Sequence, residues 1–168
     1  MNDTMERMRN YVGAMQKQAY QDELTSVKNV AAYDKKVYDL NQKISAGQAA
    51  FAVVMVDLNQ LKEVNDRFGH EKGNIALQTL CRAVCRLYKH SPVYRIGGDE
   101  FVVILEGEDY DNRDALFPKV QAFERIRDLK AAQPWTQLAA SVGMAVYDQT
   151  CDAAYQAEIG RASCRERV

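Results

Sequence analysis

The residues best equipped for chemistry lie together in Arg95-Ile96-Gly97-Gly98-Asp99-Glu100-Phe101. Two acids follow two glycines directly, and β-branched apolar runs flank them, Val93 to Ile96 before and Phe101 to Leu105 after. That pattern predicts a hairpin with the acids in a solvated tip. The glycines let the chain turn tightly and let a ligand approach bare backbone. Adjacent carboxylates repel each other, and a bound cation relieves that repulsion. An ordinary Gly-Gly turn with solvated acids fits the same residues, so the stretch by itself leaves both readings open.

A further acid, Asp57, stands near the end of the apolar run Phe51 to Leu58, whose composition predicts a buried central strand. A carboxylate there is costly unless it is paired or bound to metal. Asp57 could equally be a helix cap or a surface acid just past the strand. Beyond it, Leu61, Val64 and Phe68 mark one face of a short helix that Gly69 stops, with Asn65 and Asp66 late in it. Gly69 to Asn74 is expected to form a loop. Asn74 is then placed to cap a helix with the stripe Leu77, Leu80, Cys81, Val84 and Leu87.

Other elements must position these groups. Met5, Met8, Val12, Met15 and Ala19 form a short heptad stripe on an N-terminal helix. It fits packing on the domain or the end of a longer dimerising helix. Asn29 is a good N-cap for a helix with Tyr33, Val37, Leu40 and Ile44 on one face, stopping near Gly47. Asp109 to Arg113 reads as a polar loop in which Asp111 or Asn112 caps a helix carrying Leu116, Val120, Phe123 and Ile126. Pro134 ends that region, and Leu138 to Tyr147 reads as the last strand. This order predicts an α+β sheet with helices packed on one face.

The 168 residues suffice for one domain with a real core. A net charge of −1 argues against a broad nucleic-acid surface. No apolar run reaches membrane-spanning length, and the polar, charged N-terminus carries no visible signal peptide. Cys81 and Cys85 sit one helical turn apart on an apolar face and read as buried reduced thiols. Finger-like zinc spacing is missing, and a cytoplasmic setting follows.

Gly97-Gly98-Asp99-Glu100-Phe101 is the signature of the GGDEF diguanylate cyclases, and the chain resembles that family from about Asp22 to Tyr147. Asp22-Glu23-Leu24-Thr25 resembles the family's Asp-x-Leu-Thr entry segment. Thr25-Ser26-Val27-Lys28-Asn29-Val30 departs from the usual Thr-Gly-Leu-x-Asn-Arg. Asp57, Lys62, Asn65, Asp66, Gly69, His70 and Gly73 match the patterns Asp-x-Asp-x-Phe-Lys, Asn-Asp and Gly-His-x-x-Gly-Asp. Asn59, Leu61 and Asn74 depart from them. Ser141-Val142-Gly143 matches Ser-x-Gly. Tyr88-Lys89-His90-Ser91 replaces the Arg-x-x-Asp through which many members bind product, so that feedback is expected to be absent. After Tyr147 only Asp152-Ala153-Ala154-Tyr155 echoes the family's last helix.

The resemblance implies a palm-like fold, a central, mostly antiparallel sheet with surrounding helices. Residues 1–21 would be a linker helix, 22–157 a GGDEF domain lacking its C-terminal helix, and 158–168 a vector-derived tail. It further implies a homodimer that condenses two GTP into cyclic di-GMP and two pyrophosphates, under an upstream sensor domain. Asp57, Asp99 and the Leu58 carbonyl would hold magnesium, or manganese in its place, and Asp99 or Glu100 would act as base. Gly97 and Gly98 would admit phosphate oxygens, and Lys62 would contact phosphate. His70 would brace its loop, and Arg161 and Arg165 would not replace the family's C-terminal phosphate-binding residues. Asn65 and Asn74 would read the base. Asn carries both a donor and an acceptor, so Asn74 fits adenine as well as guanine. A non-catalytic GTP-binding regulatory module is the alternative.

Overall fold

The computed structural model describes residues 3–124, 132–137 and 139–149. Four strands form one sheet in the order β2-β3-β1-β4, and every neighbouring pair is antiparallel. The strands are β1 (Ala50–Leu58), β2 (Val93–Arg95), β3 (Glu100–Leu105) and β4 (Ala140–Asp148). β2 and β3 are the hairpin that the two β-branched runs predict.

The apolar run through β1 is central but not buried on both sides. Ala52, Val54, Val56 and Leu58 are buried, whereas Met55 on the opposite face is 49% exposed. An antiparallel strand can carry one open face, and only the alternate residues need cover. That cover comes from α4 (His70–Leu87) and α6 (Arg113–Gln121). Leu77, Leu80 and Val84 of α4 and Val120 of α6 pack with the inward residues of β1 and β3. Each such side chain stabilises the fold by about 1.5–3 kcal/mol.

Helices lie on both faces rather than one. α2 (Val30–Ser45) brings Ala32 and Leu40 against Tyr94, Val102 and Ile104, covering the β2–β3 half of the second face. Asn29 caps α2 as expected, its side chain accepting from the Ala32 N–H at 3.1 Å. At the far end, Lys36 and Lys43 both pair with Glu106. α1 (Asp3–Tyr20) precedes the sheet and buries none of its residues, so its methionine stripe is exposed.

Two predicted loops are helical. Gly69, at φ +86° and ψ 160°, turns the chain in one residue between α3 (Leu61–Phe68) and α4. α4 therefore starts at His70, and Asn74 lies inside it rather than capping it. Glycine alone takes that backbone angle without strain. Asp109 to Arg113 spans α5 (Gly107–Asp111) and the first residue of α6. Buried Asp109 ties α5 down by accepting from the His90 N–H and the Ser91 hydroxyl. α6 ends at Gln121, ahead of Phe123. Cys81 is buried and Cys85 half-buried, and both are free thiols. Ile126, Cys151, Cys164, the 152–155 echo and the tail with Arg161 and Arg165 lie outside the described residues.

Candidate active site

Strand pairing brings the predicted acids to one end of the sheet. Asp57 sits in register with Glu100 on β3 and with Ser141 on β4. The Leu58 N–H donates to the Asp99 carbonyl at 2.9 Å, locking the signature turn onto the end of β1. The Ile96 N–H donates to the Glu100 carbonyl at 3.1 Å and closes the turn. The acids are not at a freely solvated tip. Glu100 is the first residue of β3, and Asp99 and Glu100 are both half-buried.

The two glycines serve different ends. A Cβ on Gly97 would come within 2.8 Å of Glu100 Oε2, so only glycine lets that carboxylate fold back over the turn. Gly98 has open space around it, as a point of ligand approach requires. Neither has a positive φ, so the tight turn does not depend on a left-handed residue here.

The acids are uncompensated. Burial raises the Asp57 carboxyl above its ordinary value, and the charges of Asp99 and Glu100 raise it further. No basic side chain pairs with any of the three among the described residues. The donors are hard oxygens suited to a small divalent cation. Among the described residues no three acidic, His or Cys side chains are already gathered into a coordinating group. Beside Asp57 and Glu100 lies an open pocket of about 210 Å³, lined also by Met55, Ser141 and Gly143. Its wall continues the half of the sheet that α2 leaves open.

Three contributors escaped the sequence reading. Arg95 donates to both Asp22 carboxylate oxygens, at 3.2 and 3.3 Å, and to the Gly98 carbonyl at 2.7 Å. It thereby ties the entry segment to the signature turn. Burial opposes ionisation of Asp22, but hydrogen bonds from the Thr25 hydroxyl and N–H and the Arg95 charge outweigh it and hold the carboxyl below its ordinary value. An arginine at the end of an apolar strand and an acid three residues before a threonine were the available signals. Gln60, directly after the Asp57-Leu58-Asn59 strand end, has φ +58°. A non-glycine residue there carries backbone strain, which often marks functional positions. Asn59 accepts a hydrogen bond from the Ser141 hydroxyl at 2.9 Å, linking the ends of β1 and β4.

Ser26 explains one departure in the entry segment. It has φ +64°, a conformation glycine adopts freely, at the position where the resembled pattern carries glycine. The remaining candidates stand on the neighbouring α3–α4 pair. Lys62 is exposed on α3, Asn65 is half-buried near its end, and Asn74 is exposed on α4. None of these three lines the pocket beside Asp57.

Comparison with known proteins bears on the fold and the family. Residues 19–163 match the family model described as diguanylate cyclase, GGDEF domain. The chain is 30% identical over 152 residues to the diguanylate cyclase TpbB of Pseudomonas aeruginosa, covering 87% of this chain and 34% of that protein. It is 28% identical over 131 residues to the bifunctional diguanylate cyclase/cyclic di-GMP phosphodiesterase MucR of the same species, covering 77% and 19%. The chain thus spans about a third or less of these relatives. Among solved structures, the coiled coil and GGDEF domain of DgcB from Caulobacter crescentus, in complex with c-di-GMP, superposes with a TM-score of 0.70. That match has 19% identity and covers 98% of this chain and 90% of the other. The FimX GGDEF domain of Pseudomonas aeruginosa gives 0.65 at 16% identity, covering 87% and 90%, which extends the agreement in fold. With a family match over most of its length and a carboxylate-bearing hairpin at the end of the central strand, the chain belongs to the GGDEF-domain diguanylate cyclase family.

Proposed function

We propose that this chain is a diguanylate cyclase catalytic domain that joins two GTP molecules into cyclic di-GMP and releases two pyrophosphates. The observation that carries the reading is the uncompensated acidic end of the sheet, with Asp57 in register with Glu100 beneath an intact Gly97-Gly98-Asp99-Glu100-Phe101 turn. Acids held together without a cation are costly, and a divalent ion with a nucleotide triphosphate relieves that cost.

Asp57, Asp99 and the Leu58 carbonyl would hold magnesium or manganese. When bound, the ion would neutralise charge on the α-phosphate and orient it. Asp99 or Glu100 accepts the proton of a 3′-hydroxyl as that oxygen attacks the α-phosphate of the other nucleotide. Pyrophosphate leaves in line, and a second, reciprocal transfer closes the ring. Gly98 leaves backbone open to phosphate oxygens, and Lys62 contacts phosphate. Asn65 and Asn74 contact the base. Each subunit holds one GTP, so turnover needs two copies. The exposed stripe Met5, Met8, Val12 and Met15 on α1 supports pairing through that helix. An upstream sensor would act through the same helix, in the cytoplasm. No described helix is long and apolar enough to cross a membrane.

Asn74 and the strained Ser26 favour a second reading, a GTP-binding regulatory module without turnover. Mass spectrometry of products after incubation of concentrated protein with magnesium and GTP, ATP or both separates the two. Cyclic di-GMP formed by the wild type and abolished by Asp99→Asn is the expected result. GTP binding without any product would establish the second reading.

A further inference from the structure

Two thiols stand one turn apart on α4, and neither lines the pocket beside Asp57. Cys81 is 2% exposed, Cys85 is half-buried, and both are free. Both pack in the main apolar cluster, where they face the entry segment. Gln78, three residues before Cys81, donates to the Leu24 carbonyl at 3.0 Å, and the Thr25 hydroxyl is within hydrogen-bonding reach of the Cys81 sulfur. The two sulfurs also reach each other. That hydrogen bond draws the Cys85 thiol down to about 7 against the opposing effect of burial. A disulfide does not fit the pair. Residues four apart on a helix hold their Cβ atoms about 5–6 Å apart, whereas a disulfide needs about 3.5–4.5 Å. α4 runs unbroken from His70 to Leu87, so the gap cannot close without loss of helix.

An ion between the sulfurs does fit, because it adds two metal–sulfur bonds of about 2.3 Å to the bridge. The donors select the ion. Thiolates are soft and favour soft cations such as copper(I). Zinc takes four donors in a closed site, and among the described residues no third His, Cys, Asp or Glu joins the pair. The Asp22 carboxylate is a hard oxygen donor and is already engaged by Thr25 and Arg95. Copper(I), with its filled d shell, is satisfied by two thiolates in line. We infer that Cys81 and Cys85 form a two-thiolate site for a soft monovalent metal ion, and that copper(I) is the ion it takes. Binding forms two S–Cu bonds, the thiol protons leave to solvent, and copper keeps its oxidation state. Half-exposed Cys85 gives the ion its way in, and buried Cys81 completes the site behind the entry segment. The site shares no residue with the acidic end of the sheet, so it stands independently of the cyclase reading.

The test is anaerobic titration of the full, reduced chain with copper(I) supplied from a chromophoric chelator, followed by X-ray absorption of the loaded protein. Cys151 and Cys164 lie outside the described residues, so the titration is repeated in a Cys151→Ser, Cys164→Ser chain. Both chains are expected to take one copper ion from the chelator. Cys85→Ser and Cys81→Ala, each added to that chain, should weaken uptake by about a hundredfold or more. X-ray absorption should show two sulfur neighbours and no nitrogen or oxygen. The inference is overturned if the wild type takes no copper, if uptake disappears in the Cys151→Ser, Cys164→Ser chain, if Cys85→Ser retains it, or if the ion has other ligands. Should Cys81→Ala fail to fold because its side chain is buried, Cys85→Ser and the sulfur count decide the question between them.

Discussion

Asp22 and Asp57 lie on either side of the signature turn and are treated in opposite ways. Asp22 accepts from Thr25 and from Arg95, and its carboxyl is held low despite burial. Asp57 faces Asp99 and Glu100, has no basic partner among the described residues, and is pushed up by burial and by those two charges. Glu106 follows the first pattern, since burial is outweighed by Lys36 and Lys43. The fold can therefore neutralise acids when they serve stability. Leaving one end of the sheet without that compensation costs folding energy, a cost that fits the ligand-binding role proposed above.

Removing the reserved acids should separate activity from stability. Asp99→Asn is expected to lower the rate of cyclic di-GMP formation by at least about a hundredfold, read by product mass spectrometry, while the protein remains folded. Arg95→Ala attacks the compensated side. It leaves Asp22 half-buried with only its Thr25 hydrogen bonds and frees the Gly98 carbonyl, for a loss of about 1–3 kcal/mol in urea unfolding. If Arg95→Ala proved neutral and Asp99→Asn unfolded the chain, the contrast would be reversed.

Asp57→Asn sharpens the comparison through pH. A raised folded-state value means that the native state takes up the proton before the unfolded state as pH falls. The ionised carboxylate therefore lowers stability at neutral pH, and that penalty fades as pH falls through the raised value and is gone below the ordinary one. The variant should melt above the wild type at pH 7 without divalent ions, and the gap should close in acid. Asp22→Asn has the opposite sign. Its stabilising carboxylate is present above the ordinary value and lost as pH falls through the lowered one, so the variant melts lower at pH 7 and the difference vanishes in acid. The smallest effect expected is a gain of about 0.5–1 kcal/mol for Ser26→Gly in the same unfolding assay, as left-handed strain is relieved and partly offset by chain entropy.

Local chemistry explains what the sequence revealed. The hairpin was readable from two β-branched runs around Gly97-Gly98, and α2 from Asn29 and its apolar spacing. The acidic end of β1 was readable because a carboxylate is out of place in such a run. Features set by distant contacts were hidden. Arg95 meets Asp22 across most of the intervening chain, and no local pattern encodes that pairing. The half-open face of β1 follows from where α2 docks, which apolar composition does not specify. The Gly69 joint reads as a loop because a helix stop is legible in the sequence and an immediate restart is not. Nothing near Gln60 in sequence announces its left-handed backbone.

The pairing of β1 with β4 also has a consequence in time. β1 can meet β3 after fewer than fifty residues, but Ala50 waits nearly a hundred residues for Asp148. Contacts so far apart form late. During synthesis, β1, α4 and the hairpin can assemble a core while one edge of β1 stays vacant. Ser141 and Gly143 arrive only with β4, and they complete the wall beside Asp57. The nascent chain thus acquires a stable body first and its pocket last, so the acids stay without it until most of the chain has emerged.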